Sequence, residues 1–254
     1  VRGIDGFKAT DADGMHRLPS RASARYYGLI GKLGAALHVR VDGIEHLPAG
    51  RALIVANHAF GWDVAFPMAA VARGTGRPVW ALGEHLWWRV PGLRRVAAGV
   101  GVVDGRPQNA ERLLADDQIV FVLPGGLREA VKPHELRYRL LWGRRYGFVR
   151  VAARTAAPIL PLACLGADEW FDFVGDAYAR GRRWHLRIPI PRPSHLLAIP
   201  HQAPLHYVIG EPIDTVGVDP EDPRAVRRIR REVEGALHEI IEEELARRAG
   251  LPYP

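Results

Sequence analysis

Apolar residues recur along the chain in two alternating rhythms. Short apolar runs at 37–41, 52–56, 78–82, 101–103, 119–123, 158–165 and 206–209 read as strands. Segments with apolar residues at helical spacing lie between most of them, at 64–73, 86–98, 109–115 and 146–155. Ahead of these, Tyr26, Leu29, Ile30, Leu33 and Leu37 predict a helix from Arg21 to about Ala36, with Arg21, Arg25 and Lys32 among them. Such a basic amphipathic helix either packs on its own domain or lies on a membrane surface, and periodicity does not separate the two. Val226, Ile229, Val233, Leu237, Ile240, Ile241 and Leu245 mark one side of a closing helix over about 220–249. Strands alternating with helices predict an α/β fold: one mostly parallel central sheet flanked by helices, preceded by an N-terminal amphipathic helix.

Residues 1–20 are polar and irregular, and 21–254 read as a single domain with no internal repeat or linker. Pro67 must fall in the first turn of its helix, which therefore starts no earlier than about Asp63. Between 176 and 205 five prolines forbid long regular structure, leaving a lid, a binding surface or a disordered excursion. That stretch carries Arg180, Arg182, Arg183 and Trp184, a mix suited to a lipid interface.

Composition narrows the picture modestly. The 254 residues are 48% hydrophobic and 25% charged, ordinary for a globular protein with a substantial core. A net charge of +7 attracts anionic partners, whether acidic lipid, nucleic acid or a phosphorylated cofactor. The one cysteine, Cys164, excludes an internal disulfide and a cysteine-built zinc site. No apolar run approaches the ~18 residues of a membrane span. The sequence begins at Val1, so an anchor or leader removed from the front stays open.

The stretch NHAFGWD, Asn57 to Asp63, brings chemistry into view. It sets His58 five positions before Asp63, just after the apolar run 52–56. An imidazole that is to accept a proton needs a carboxylate at its other nitrogen, which fixes the tautomer and stabilises the cation. A strand ending in the histidine, followed by a helix start carrying the aspartate, supplies that pair at the mouth of a parallel sheet. On spacing alone, Asn57 also fits a turn and Asp63 a helix N-cap. LPGGLREA, Leu123 to Ala130, follows another strand. Its glycines let backbone amides approach a ligand, and Arg128 adds a forked cation, so the loop suits an oxyanion, a phosphate or a plain turn.

These blocks together resemble the glycerolipid and lysophospholipid acyltransferase superfamily. NHAFGWD is similar to its HxxxxD block. GVVDGR (Gly101 to Arg106) resembles the second block, LPGGLREA the third, and APILPLACLGADE (Ala157 to Glu169) the fourth, a buried strand lining the acyl side. VIGEPID (Val208 to Asp214) resembles a late strand and turn. The likeness covers roughly residues 21–245, and four blocks in order are far more specific than one. Gly125 stands where the phosphate-recognising branches carry the glutamate of PEGT. PGG followed by RE, then WGRRYGF at Trp142 to Phe148, is closest to the diacylglycerol acyltransferase 2-like and phytyl-ester-synthase-like branch.

The resemblance implies an O-acyltransferase that moves a fatty acyl group from acyl-CoA, or an acyl carrier protein, to the hydroxyl of a lipid acceptor, here a neutral one. His58 acts as general base, Asp63 orients it, and Gly125, Gly126, Arg128 and Arg106 serve the oxyanion or the acceptor. Alternatives are a lysophosphatidate-type enzyme with a phosphate-bearing acceptor, and a non-catalytic lipid-binding module. Neither a cofactor nor a metal is expected. The expected partners are acyl-CoA, the lipid acceptor and an anionic membrane surface, with the protein peripheral on the cytoplasmic face. No nucleic-acid motif is present.

Other chemistries fail on residue supply. Ser20, Ser23 and Ser194 are the only serines and none sits in a GxSxG elbow. His134-Glu135 and His238-Glu239 lack the second histidine of HExxH, and the glycines at 99, 101 and 105 miss the dinucleotide spacing. Trp87 and Trp88 beside Arg89, Arg94 and Arg95 suit a headgroup-level anchor. Arg137, Arg139, Arg144 and Arg145 suit either the phosphates of acyl-CoA or a solvated surface.

Overall fold

A computed structural model describes residues 21–60, 63–84, 97–170 and 203–253. The expectations for 1–20, for Trp87, Trp88, Arg89, Arg94 and Arg95, and for most of 176–205 lie outside the described residues.

The seven strands that the apolar runs predict all form: β1 (Arg40–Asp42), β2 (Ala52–Ala56), β3 (Val79–Gly83), β4 (Val102–Asp104), β5 (Ile119–Val122), β6 (Ile159–Leu165) and β7 (His206–Ile209). Among the described residues they make one sheet in the order β1-β7-β6-β2-β5-β3-β4. Every pairing is parallel except β6 with β7. Each residue of β2 and β6 is buried, the signature of parallel strands covered on both faces.

Helices α1 (Arg21–Ala36) and α2 (Ala65–Thr75) cover one face, where Tyr27, Ile30, Phe66 and Val71 pack against Ile54, Phe121 and Leu160. The other face is covered by α3 (Pro107–Ala115), α5 (Gly147–Thr155) and α7 (Pro223–Arg248). Two short helices, α4 (Gly126–Ala130) and α6 (Ala167–Trp170), begin within a few residues of the carboxyl ends of β5 and β6. The helix at 21–36 therefore packs on its own domain, and the Tyr27 hydroxyl donates to the Val79 and Val100 carbonyls. Its other face leaves Leu29 66% exposed beside Arg21, Arg25 and Lys32.

Register brings the motifs together. β2 pairs with β5 so that Val55 faces Val122, and with β6 so that Ala56 faces Leu162. The chain leaving β2 at Asn57 and His58 therefore emerges beside the chain leaving β5 at Pro124 and Gly125. β4 lies three places from β2, about 14 Å at ~4.8 Å per strand. Val102 and Gly105 of the second block nonetheless line the same cavity as His58.

Asn57 closes the carboxyl end of the β2–β6 pairing with its side chain. It is fully buried, donates to the Cys164 carbonyl at 3.0 Å and accepts from the Cys164 N–H at 2.7 Å. An alanine there strands a buried donor and a buried acceptor, each costly to leave unpaired. Asn57→Ala is expected to lower unfolding stability by roughly 2–4 kcal/mol in urea titrations. A change within 0.5 kcal/mol contradicts this account of the strand end.

Candidate active site

β2 ends at Ala56, directly before Asn57 and His58, and Asp63 lies two residues ahead of α2, which begins at Ala65. Pro67, the third residue of α2, sits in the first turn, where its missing N–H breaks no helical bond. Asp63 is 2% exposed and its carboxylate bonds back to His58 and Ala59. One oxygen takes the Ala59 N–H at 2.8 Å and is also joined to His58 Nδ1 by a short hydrogen bond. This pairing leaves Nε2 for a reacting group, and the side chain of His58 keeps 20% of its surface exposed.

Burial by itself opposes a charged ring. The Asp63 charge and hydrogen bond, joined by the Glu129 charge, outweigh burial and the opposing Lys132, so the His58 pKa lies above the ordinary histidine value.

The ring borders a cavity of about 1020 Å³. Leu53, Met68, Leu82, Val122, Leu127 and Phe148 are among its walls, and Tyr26 of α1 adds another. Phe60, 43% exposed, belongs to the same lining. Three cations reach it as well: Arg144, Arg145 and Arg150, from the loop before α5 and its first turns. The volume matches the upper end of small-molecule sites, with room for a long chain. No group of His, Cys, Asp and Glu fit to hold a metal occurs among the described residues.

The expected site residues do not all meet. His58, Asp63 and Gly126 border the cavity, and Gly125 is buried beside it. The Gly126 N–H is committed to the Leu123 carbonyl at 3.0 Å. Arg128 is exposed and Arg106 pairs at 2.7 Å with Asp104; neither is among the residues lining the cavity. Gly105 and Pro107 on either side of Arg106 line the cavity, but the Arg106 side chain is held by Asp104 instead. The cation beside the third block is instead Arg145, which donates to the Pro124 carbonyl. β6 contributes none of the described cavity wall and serves as the packed neighbour of β2. Cys164 is buried, and burial drives its thiol pKa well up, so it is inert packing.

Three residues that the motif spacing does not single out surround His58. Glu129 of α4 is fully buried; it accepts the His58 N–H at 2.7 Å and the Leu141 N–H at 2.6 Å. Lys132 donates to the His58 carbonyl at 2.7 Å and to Asp168 at 2.7 Å. Asp168 in turn accepts the Tyr138 N–H at 2.7 Å. The nearest signal was glycine at 125, since a β-carbon there would fall inside the Glu129 carboxylate.

Known proteins resemble this chain in sequence and in fold. The family model described as Acyltransferase matches residues 38–165, half of the chain. An uncharacterized protein of Mycobacterium tuberculosis is 29% identical over 228 residues, covering 84% of this chain and 63% of its own length. A mouse protein described as a DGAT1/2-independent enzyme synthesizing storage lipids is 30% identical over 136 residues, 53% of this chain and 41% of its own. The chain thus spans less than two thirds of the length of these curated relatives. The crystal structure of the 1-acyl-sn-glycerophosphate (LPA) acyltransferase of Thermotoga maritima superposes with a TM-score of 0.54 at 18% identity. That match covers 90% of this chain and 84% of the other, and it is a likeness of fold. With the family model spanning the strands that carry His58, Asp63 and the third block, the chain belongs to the acyltransferase family.

Proposed function

We propose that the protein transfers a fatty acyl group from a thioester, acyl-CoA or an acylated carrier protein, to the hydroxyl of a lipid. The observation that carries this reading is a carboxylate-held imidazole bordering a cavity large and apolar enough for a long chain. His58 Nε2 removes the proton of the acceptor hydroxyl as its oxygen attacks the thioester carbonyl. Asp63 holds the tautomer and stabilises the resulting imidazolium. As the tetrahedral intermediate collapses, the carbon–sulfur bond breaks and the proton passes from His58 to the departing thiolate. Proton transfer of this kind contributes about 10²–10⁴-fold, with positioning and charge stabilisation supplying the rest.

The acceptor in this reading is a neutral lipid alcohol. Its support is the apolar wall around His58, with Arg106 and Arg128 outside the lining. The branch resemblance of PGG followed by RE points the same way, and so does the description of the mouse relative. Arg144, Arg145 and Arg150 then face the phosphates of the donor. A phosphate-bearing acceptor is the second reading, favoured by those same cations and by the described activity of the Thermotoga protein. The basic outer face of α1, with Leu29 exposed, supports a peripheral position on an anionic membrane surface. No described helix is long and apolar enough to cross a membrane.

Thiol release from a long-chain acyl-CoA, with diacylglycerol, fatty alcohol and lysophosphatidate offered in turn, tests the reaction. His58→Ala is expected to lose at least about a hundredfold in rate while remaining folded by circular dichroism. Unchanged release contradicts His58 as the base, and no release by the wild-type protein favours a lipid-binding module. The acid limb of kcat/KM is expected above pH 6.5, because the raised His58 pKa keeps the base protonated to higher pH. Asp63→Asn is expected to move that limb down, and a limb below 6.5 in the wild type refutes the pairing. Arg144→Ala is expected to raise KM for acyl-CoA; a rise for lysophosphatidate alone selects the second reading.

A further inference from the structure

Burying one carboxylate is costly, and burying two with an ammonium between them demands a reason. Glu129, Lys132 and Asp168 form such a group directly behind the catalytic loop, and all three are buried. Leucine or methionine would fill the same volume without the desolvation penalty. What an apolar residue cannot do is hold the two polar ends of the His58 residue.

Oε1 of Glu129 takes the His58 N–H at 2.7 Å, and Lys132 Nζ donates to the His58 carbonyl at 2.7 Å. The other carboxylate oxygen of Glu129 takes the Leu141 N–H at 2.6 Å, tying the clamp to the segment leading into the cavity arginines. Lys132 uses its remaining donors on the Glu129 carbonyl at 3.3 Å and on Asp168 at 2.7 Å. Both partners of the Glu129 carboxylate are donors, so only a group with two accepting oxygens satisfies them. Gly125 belongs to the same design, because any side chain there displaces that carboxylate.

We propose that Glu129 and Lys132 are positioning residues, a buried clamp on the backbone N–H and carbonyl of His58 that holds its imidazole at the cavity. The inference deepens the acyl-transfer reading and rests on it for its kinetic consequence. Its electrostatic consequence stands without turnover. The charged groups acting on the His58 ring are Asp63, Glu129 and Lys132, with Asp168 paired behind Lys132. Glu129 favours the protonated ring and Lys132 opposes it, so the two members of the clamp push its titration in opposite directions.

The test uses the full chain with ¹⁵N-labelled histidine, the His58 ring signals being assigned by their loss in His58→Asn. Glu129→Gln keeps the shape but offers one accepting oxygen where two donors point. In it the His58 pKa is expected to fall, while the pKa rises in Lys132→Gln. With acyl-CoA and an accepted lipid alcohol, kcat in both variants is expected to fall on the order of a hundredfold, with KM for the donor unchanged. A merely structural role moves melting temperature without opposite shifts in the ring titration. Unmoved His58 titration and unmoved kcat in a folded variant overturn the proposal, and if Glu129→Gln does not fold, Lys132→Gln decides on the same two readings. A wild-type protein that releases no thiol defeats the acyl-transfer reading instead, and leaves the titration result to judge the clamp alone.

Discussion

The bond between the Asp63 carboxylate and His58 Nδ1 is the constraint around which this end of the sheet is built. A carboxylate that is 2% exposed must be given partners, and a ring that is to accept a proton must stay in contact with a substrate. The bond from Asp63 back to His58 Nδ1 satisfies both demands at once. The Ala59 N–H completes the carboxylate from the loop's own backbone. The neighbouring strands supply the rest: Asn57 is pinned to β6, and His58 emerges beside the turn that follows β5.

Much of the fold was legible because its central strands are buried on both faces. Such strands leave no polar alternation in the sequence, and uninterrupted apolar runs mark them directly. β2 and β6 were readable for this reason, and so was the seam of Val226, Ile229, Val233, Leu237 and Ile241 that docks α7. Boundaries were less legible. α3 begins at Pro107, two residues ahead of its apolar periodicity, because proline is well suited to a first turn. α4 was hidden, since a helix of five residues whose cap and first residue are both glycines has the local chemistry of a turn. The antiparallel step between β6 and β7 has no signal in either strand's own residues.

The site was legible to a different degree. Five-residue spacing after an apolar run gave His58 and Asp63, because that geometry is local. Arg106 and Arg128 sit in motifs that match in order, yet order along the chain does not fix which partner a side chain takes. Arg106 is held by Asp104 although its neighbours Gly105 and Pro107 line the cavity, and Arg128 is exposed on α4. Glu129, Lys132 and Asp168 were illegible for the opposite reason. Charged residues beside glycine and proline have the composition of a solvated turn, and only the folded chain reveals that they are enclosed and fully bonded. Gly125 held the one trace of them, an absent side chain whose space a carboxylate from the next turn fills.

The central claim is that His58 Nε2 meets the reacting end of a fatty thioester whose chain occupies the cavity. A crystal structure with a long-chain S-alkyl coenzyme A, a thioether that cannot be transferred, measures this directly. The account predicts the alkyl chain among Leu53, Met68, Leu82 and Phe148, with its sulfur-linked carbon about 3–4 Å from His58 Nε2. A chain bound elsewhere, or one whose sulfur lies far from the ring with the cavity empty, contradicts it.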